Sequence, residues 1–180
     1  MQRQTLVVKS NIIFIQQGID LLSDISDELY SKNNTQYSKS GIGRHFRHII
    51  EHYYSFIQTD GVIVDYDDRE RNLRLETDRI YMIESLKEVI DSLKALENNP
   101  EKLDQLVQVR SNEGIGEENS SVSSASLRRE LQFLISHTVH HYALIGLILQ
   151  TMGYVPDETF GVAPTTLKFE MEQKSLGNAS

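Results

Sequence analysis

The chain has no cysteine among its 180 residues, a deficit of positive charge and no long apolar run. Each absence removes a class of function. Without cysteine there is no disulfide framework, thiolate zinc ligand, iron–sulfur cluster or cysteine nucleophile, which agrees with a reducing, cytoplasmic setting. Eighteen Lys and Arg against 26 Asp and Glu give a net charge of −8, which opposes nonspecific attraction to nucleic-acid phosphates. The run Ile12-Ile13-Phe14-Ile15 is too short for a signal core, Gln16-Gln17 interrupts it, and no stretch approaches the ~20 apolar residues of a membrane span. The expected molecule is one domain over 1–180 with a mobile tail from Lys174 to Ser180, partnered by neither nucleic acid nor membrane.

What is present is histidine, in two places. All six fall in Arg44-His45-Phe46-Arg47-His48-Ile49-Ile50-Glu51-His52 and His137-Thr138-Val139-His140-His141. Neutral imidazole is the commonest protein ligand for zinc, nickel, copper and ferrous iron, so the clustering marks a metal site. A lone histidine on a helix is more often a surface or core residue. Two clusters change that balance.

Helical periodicity covers four segments. Ile12, Ile15, Ile19, Leu22 and Ile25 mark a first helix over about Ser10 to Tyr30, and a second runs from about Ser40, a plausible N-cap, to Gln58. A charged connection with one extended piece follows the Asp60-Gly61 turn, from Val62 to Arg71. Ile80, Ile83, Leu86, Ile90 and Leu93 mark a third helix over about Thr77 to Glu97, which Asn98-Asn99-Pro100 ends. Leu103 to Val109 and Ser120 to Ser124 can pair as a small hairpin, and the fourth helix runs from about Ser126 to Met152 before Gly153 and Pro156. The fold class is all-α, a four-helix bundle, with that hairpin in the helix 3 to helix 4 connection.

At about 100° per residue, Ile42, Phe46, Ile49, Ile50, Tyr53, Phe56 and Ile57 form the apolar arc of the second helix, with Arg44, Arg47, Glu51 and Ser55 opposite. His45, His48 and His52 share a strip of about 60° at the edge of that arc. On the fourth helix Glu130, His137, His141 and Ile148 fall within about 40°, whereas His140 is rotated about 60° or more away, toward a neighbour or solvent. His137 and His141 stack one turn apart, a separation at which two imidazoles share one ion, and His48 at the centre of the facing strip offers a third ligand. Three ligands leave a position open for water or substrate, as catalytic sites do. Thr138 stands where a zincin needs glutamate, and neither Glu51 nor Glu130 precedes a histidine by three, as a di-iron bundle requires.

The stretches Ser40-Gly41-Ile42-Gly43-Arg44-His45-Phe46-Arg47-His48-Ile49-Ile50-Glu51-His52-Tyr53 and Leu131-Gln132-Phe133-Leu134-Ile135-Ser136-His137-Thr138-Val139-His140-His141-Tyr142 resemble the DinB/YfiT-like superfamily of metal-dependent enzymes. The similarity extends over nearly the whole chain, including Phe160 to Leu167. The resemblance implies a bundle of up-down-down-up connectivity and a divalent ion, usually zinc or nickel, on His48, His137 and His141. Characterised members include thiol-dependent transferases and an isomerase that use low-molecular-weight thiols. The three further histidines depart from the family pattern, so His45 or His52 can replace or supplement His48.

An ion on three neutral imidazoles would generate a nucleophile at neutral pH for attack on a small electrophilic molecule. Glu130 would orient a histidine or substrate, or simply serve as a helix N-terminal acid. Arg69 or Arg71 could hold an anionic group at the pocket mouth, although charge runs such as Asp65 to Arg71 usually form a salt-bridged surface crossover. Tyr53, Tyr66 and Tyr142 are hydrogen-bond donors to substrate or packing residues, and Phe160 to Leu167 lids or braces the bundle. The other class of function is a non-catalytic metal-binding or interaction module, including a homodimer through helix faces.

Overall fold

The computed structural model describes residues 5–32, 40–59, 62–115 and 120–177. The Asp60-Gly61 turn, the Gly-rich tip beyond Ile115 and residues 178–180 of the expected tail lie outside them. The chain runs α1 (Leu6–Asp24), α2 (Asp27–Ser31), α3 (Ile42–Ile57), β1 (Ile63–Asp65), α4 (Arg74–Thr77), α5 (Arg79–Glu97), a 3₁₀ turn (Pro100–Asp104), β2 (Leu106–Asn112), β3 (Ser120–Ser126), α6 (Leu127–Thr151) and α7 (Pro164–Gly177). It is mostly helical with a small sheet. Helix α1 packs on α5 and α6, and α3 packs on the same two helices.

The four expected helices are α1, α3, α5 and α6, with three adjustments. The first stops at Asp24, because Ser26 caps a new helix by accepting from the Leu29 N–H at 3.1 Å. Gly41, not Ser40, stands at the N-cap of α3. Ile80 is 50% exposed, and the buried stripe of α5 is Met82, Ile83, Leu86, Val89, Ile90 and Leu93.

The hairpin is present as antiparallel β2 and β3, in register from Leu106 opposite Ser126 to Asn112 opposite Ser120. Strand β1 adds to it in parallel, Val64 opposite Val109, so the chain is not purely helical: a three-stranded sheet in the order β1-β2-β3 sits beside the helices. Val64, Val107 and Val109 are buried while Leu106 and Val122 are exposed, the alternation of a one-sided sheet.

Two close approaches hold other segments against α3 and α6. A Cβ on Gly43 would lie 1.9 Å from the Glu76 carbonyl oxygen, so only glycine lets α4 rest on the first turn of α3. Gly161 has φ of +72°, and a Cβ there would meet Tyr142 C and Ala143 N at 2.8 Å, which lets Phe160 stack on Tyr142 with centroids 4.6 Å apart. Phe160 thus braces α6. No helix among the described residues is long and apolar enough to cross a membrane.

Candidate metal centre

Helices α3 and α6 bring the two histidine clusters face to face. The Nε2 atoms of His48 and His137 are 3.2 Å apart, and the Nδ1 atoms of His45 and His141 are 2.9 Å apart. The His137 ring centroid lies 4.2 Å from that of His52, 4.6 Å from His141 and 4.9 Å from His48. Ligand atoms of His48, His52 and His137 all lie within 4.8 Å of one another, a spacing that suits three ligands of one ion. His141 adjoins this group with its centroid 4.8 Å from His48. His140 is exposed, as its rotation on the helix predicts.

The surroundings keep these imidazoles neutral, with lone pairs available. Burial, joined by the nearby Arg69 charge, lowers His48 to about 4. Burial also holds His52 and His141 near 3, and His137, with His52 and His141 crowded beside it, near 2. His137 Nδ1 is buried without a hydrogen-bond partner. A cluster of neutral imidazoles with an unsatisfied buried nitrogen fits a divalent cation and is poorly satisfied without one.

An aromatic wall closes one side. The Phe133 ring stacks on His137 at 5.6 Å and the Tyr66 ring stacks on His52 at 5.3 Å. Tyr66 donates its hydroxyl proton to Glu130 Oε2 at 3.0 Å. Glu130, only 6% exposed in the first turn of α6, therefore reaches the cluster indirectly, by fixing the ring that packs on His52.

Apart from the exposed Arg44, the polar side of α3 is not a solvent face. The segment from Tyr66 to Asp78 folds over it, so Glu51 is 4% exposed, Arg47 pairs with Glu76 at 2.8 Å, and Arg47 Nη1 lies 3.5 Å from Glu51. Burial raises the Glu51 carboxyl. Much of the covering segment is the salt-bridged crossover that its charge run predicts, with Arg110 on Asp65 at 2.7 Å and Arg74 on Asp78 at 2.9 Å. Arg69 is different: its Nη1 lies 3.2 Å from His48 Nδ1 and 3.0 Å from His52 Nδ1. Arg71 is exposed.

Tyr53 and Tyr142 are packing residues. Tyr142 donates to the Phe14 carbonyl at 3.0 Å. Tyr53 donates to Asn11 Oδ1 at 2.8 Å and accepts from Thr138 at 3.3 Å.

The sequence pattern of the DinB family matches residues 1–172. The chain belongs to the DinB family. Over 111 residues, 62% of its length, it is also 29% identical to FK506-binding protein 5 of Rhizopus delemar. It spans about 28% of that protein's length. Family membership and the histidine cluster agree on metal binding, and in this DinB-family chain His48 and His137 belong to both candidate ligand sets, the one with His52 and the one with His141.

Proposed function

We propose that this DinB-family chain is a metal-dependent enzyme whose divalent ion, zinc or nickel, is held by His48, His137 and His141, with His52 as the neighbour able to replace or supplement one of them. The observation that carries this reading is the convergence of α3 and α6 imidazoles around the facing Nε2 atoms of His48 and His137. We read α1, α3, α5 and α6 as the up-down-down-up bundle of the family, which brings α3 and α6 together. His45 supports His141 through the Nδ1 contact, the type of outer partner that orients a ligating imidazole.

A bound ion would supply Lewis acidity and lower the pKa of a water or low-molecular-weight thiol at its open position. The chain's own contribution is positional. Phe133, Tyr66 and the His52 ring exclude water from one side, and Glu130 fixes Tyr66. The substrate class that suits the site is a small electrophile, and the reaction class is transfer of a thiol or hydrolysis.

Four clustered imidazoles, with His48 and His137 each touching the other three, also favour a second reading, in which His48, His52, His137 and His141 close a tetrahedral shell and the ion is structural. Elemental analysis of the purified protein and of H48A, H52A, H137A and H141A separates these. The enzyme reading expects one equivalent of metal, its loss in H48A, H137A and H141A, retention in H52A, and chelator-sensitive turnover of a thiol with an electrophile. Metal lost in all four variants, with no turnover, supports the structural shell. A metal-free protein whose melting temperature ignores zinc and nickel sinks both.

A further inference from the structure

Arg69 presents the one strong cation inside the histidine cluster among the described residues, and there it takes up imidazole lone pairs. A guanidinium only donates, so His48 Nδ1, 3.2 Å from Arg69 Nη1, must accept. The His48 proton then sits on Nε2 and points at His137 Nε2, 3.2 Å away, which accepts in turn and leaves the His137 proton on its partnerless Nδ1. His52 Nδ1 faces the His48 carbonyl at 2.7 Å and so carries a proton, yet Arg69 Nη1 stands 3.0 Å from that same atom. With Nδ1 so protonated, the only acceptor His52 offers the guanidinium is Nε2, at the longer distance of 3.4 Å.

The other end of Arg69 is equally unsettled. Its buried Nε has no hydrogen-bond partner, and the buried Glu51 Oε1 has only the Arg47 guanidinium, 3.5 Å away. Both residues line one cavity of about 290 Å³, between α3 and the segment that covers it. A cation with an unsatisfied buried atom and an anion held only by that long contact thus share a space large enough for the guanidinium to turn in. The base of the segment is fixed: Asp65 Oδ1 accepts from the Asp67 and Asp68 N–H groups at 3.0 and 3.1 Å, and Tyr66 N–H donates to the Arg110 carbonyl at 3.0 Å. That anchor lies ahead of Arg69, so turning its side chain need disturb only the residues just after it.

Ligation through His48 Nε2 requires the lone pair on that atom, which moves the proton to Nδ1 and turns it against the Arg69 donors. Like charge adds to the conflict, because a guanidinium and a divalent ion would occupy one imidazole group. We propose that Arg69 is a latch on the metal centre: its guanidinium and a metal ion compete for the histidine cluster, and metal binding drives Arg69 out across the cavity to Glu51. This rests on the metal-centre reading above. It makes Arg69 a determinant of metal affinity and couples metal loading to the conformation of residues 69–72.

The test titrates zinc into wild type and R69Q against a chromophoric chelator and follows backbone hydrogen exchange of residues 66–72 in wild type with and without zinc. The expected results are zinc binding about tenfold or more tighter in R69Q and faster exchange in 69–72 of wild type on zinc addition. Equal or weaker binding by folded R69Q overturns the latch while leaving the metal centre standing. Unchanged exchange in zinc-loaded wild type does the same without relying on the variant. If neither protein binds zinc, the metal centre itself fails and the latch with it.

Discussion

The Tyr66 hydroxyl donates to Glu130 Oε2 at 3.0 Å, joining the first residue after β1 to the first turn of α6 directly beside the histidines. Both groups are buried, and burial raises each of their ionisations, so the phenol stays protonated. Because the Tyr66 ring is stacked on His52, this hydrogen bond sets where one wall of the site stands.

Breaking the pair strands a buried group on either side, at about 1–3 kcal/mol and more for a charge. Tyr66→Phe keeps the stacking but leaves the Glu130 carboxyl without its donor, and Glu130→Ala leaves the phenol without its acceptor. We expect each to destabilise the fold by about 1–3 kcal/mol in urea denaturation, with the double variant costing less than the sum of the two. Strict additivity would mean that the two residues do not act as a pair.

The metal-free protein should lose stability on mild acidification. His48, His52, His137 and His141 are all depressed in the fold, to about 4, 3, 2 and 3, from an unfolded value near 6.5. Above about pH 6.5 both states are neutral and these groups contribute no pH dependence. Below it the unfolded chain takes up protons that the folded chain refuses, so stability falls from about 6.5 down through the folded values. Solvent screening of the half-exposed rings reduces the size of the effect but not its sign. Glu51 and Glu130, raised by burial, act in the opposite sense, so the histidine part is best read by difference. Thermal melts in chelator between pH 7.5 and 5 should show a midpoint falling by several degrees in wild type and by less in H52A. A wild-type midpoint that holds level over this range would contradict neutral, buried histidines.

The histidine cluster was legible in the sequence because it depends on local geometry. Spacings of three and four place His48 and His52 on one strip, and His137 and His141 on another, whatever the rest of the chain does. The burial of Glu51 and Arg47 was not legible: on a helical wheel they fall opposite the apolar arc, and only the later segment from Tyr66 to Asp78 covers them. Strand β1 pairs with β2 across 45 residues of sequence, a long-range contact that the short segment Ile63-Val64-Asp65 does not announce. Arg69 belongs to the same class. Its charge run reads as a solvated crossover, which is what Asp65 and Arg74 make it, and nothing local marks Arg69 as the guanidinium that reaches His48 and His52.

The register between α3 and α6 depends on a buried polar network one layer behind the histidines. Asn11 on α1 is fully buried, donates to the Val7 and Leu131 carbonyls at 2.7 and 3.2 Å, and accepts from the Tyr53 hydroxyl at 2.8 Å. Tyr53 in turn accepts from Thr138 at 3.3 Å. Tyr53 follows His52 and Thr138 follows His137, so the network ties together the backbones that carry two of the facing imidazoles. Asn11→Ala leaves the Tyr53 phenol without its acceptor and opens a void, while the Val7 and Leu131 carbonyls keep their intrahelical partners, and should cost about 2–4 kcal/mol. Tyr53→Phe removes one hydroxyl and should cost less, about 1–2 kcal/mol. If the network sets the site rather than only the core, both variants should also weaken zinc binding at 20 °C, where both remain folded. Wild-type zinc affinity in a destabilised but folded N11A would confine the network to stability and leave the alignment of His48 and His137 to the helix packing around them.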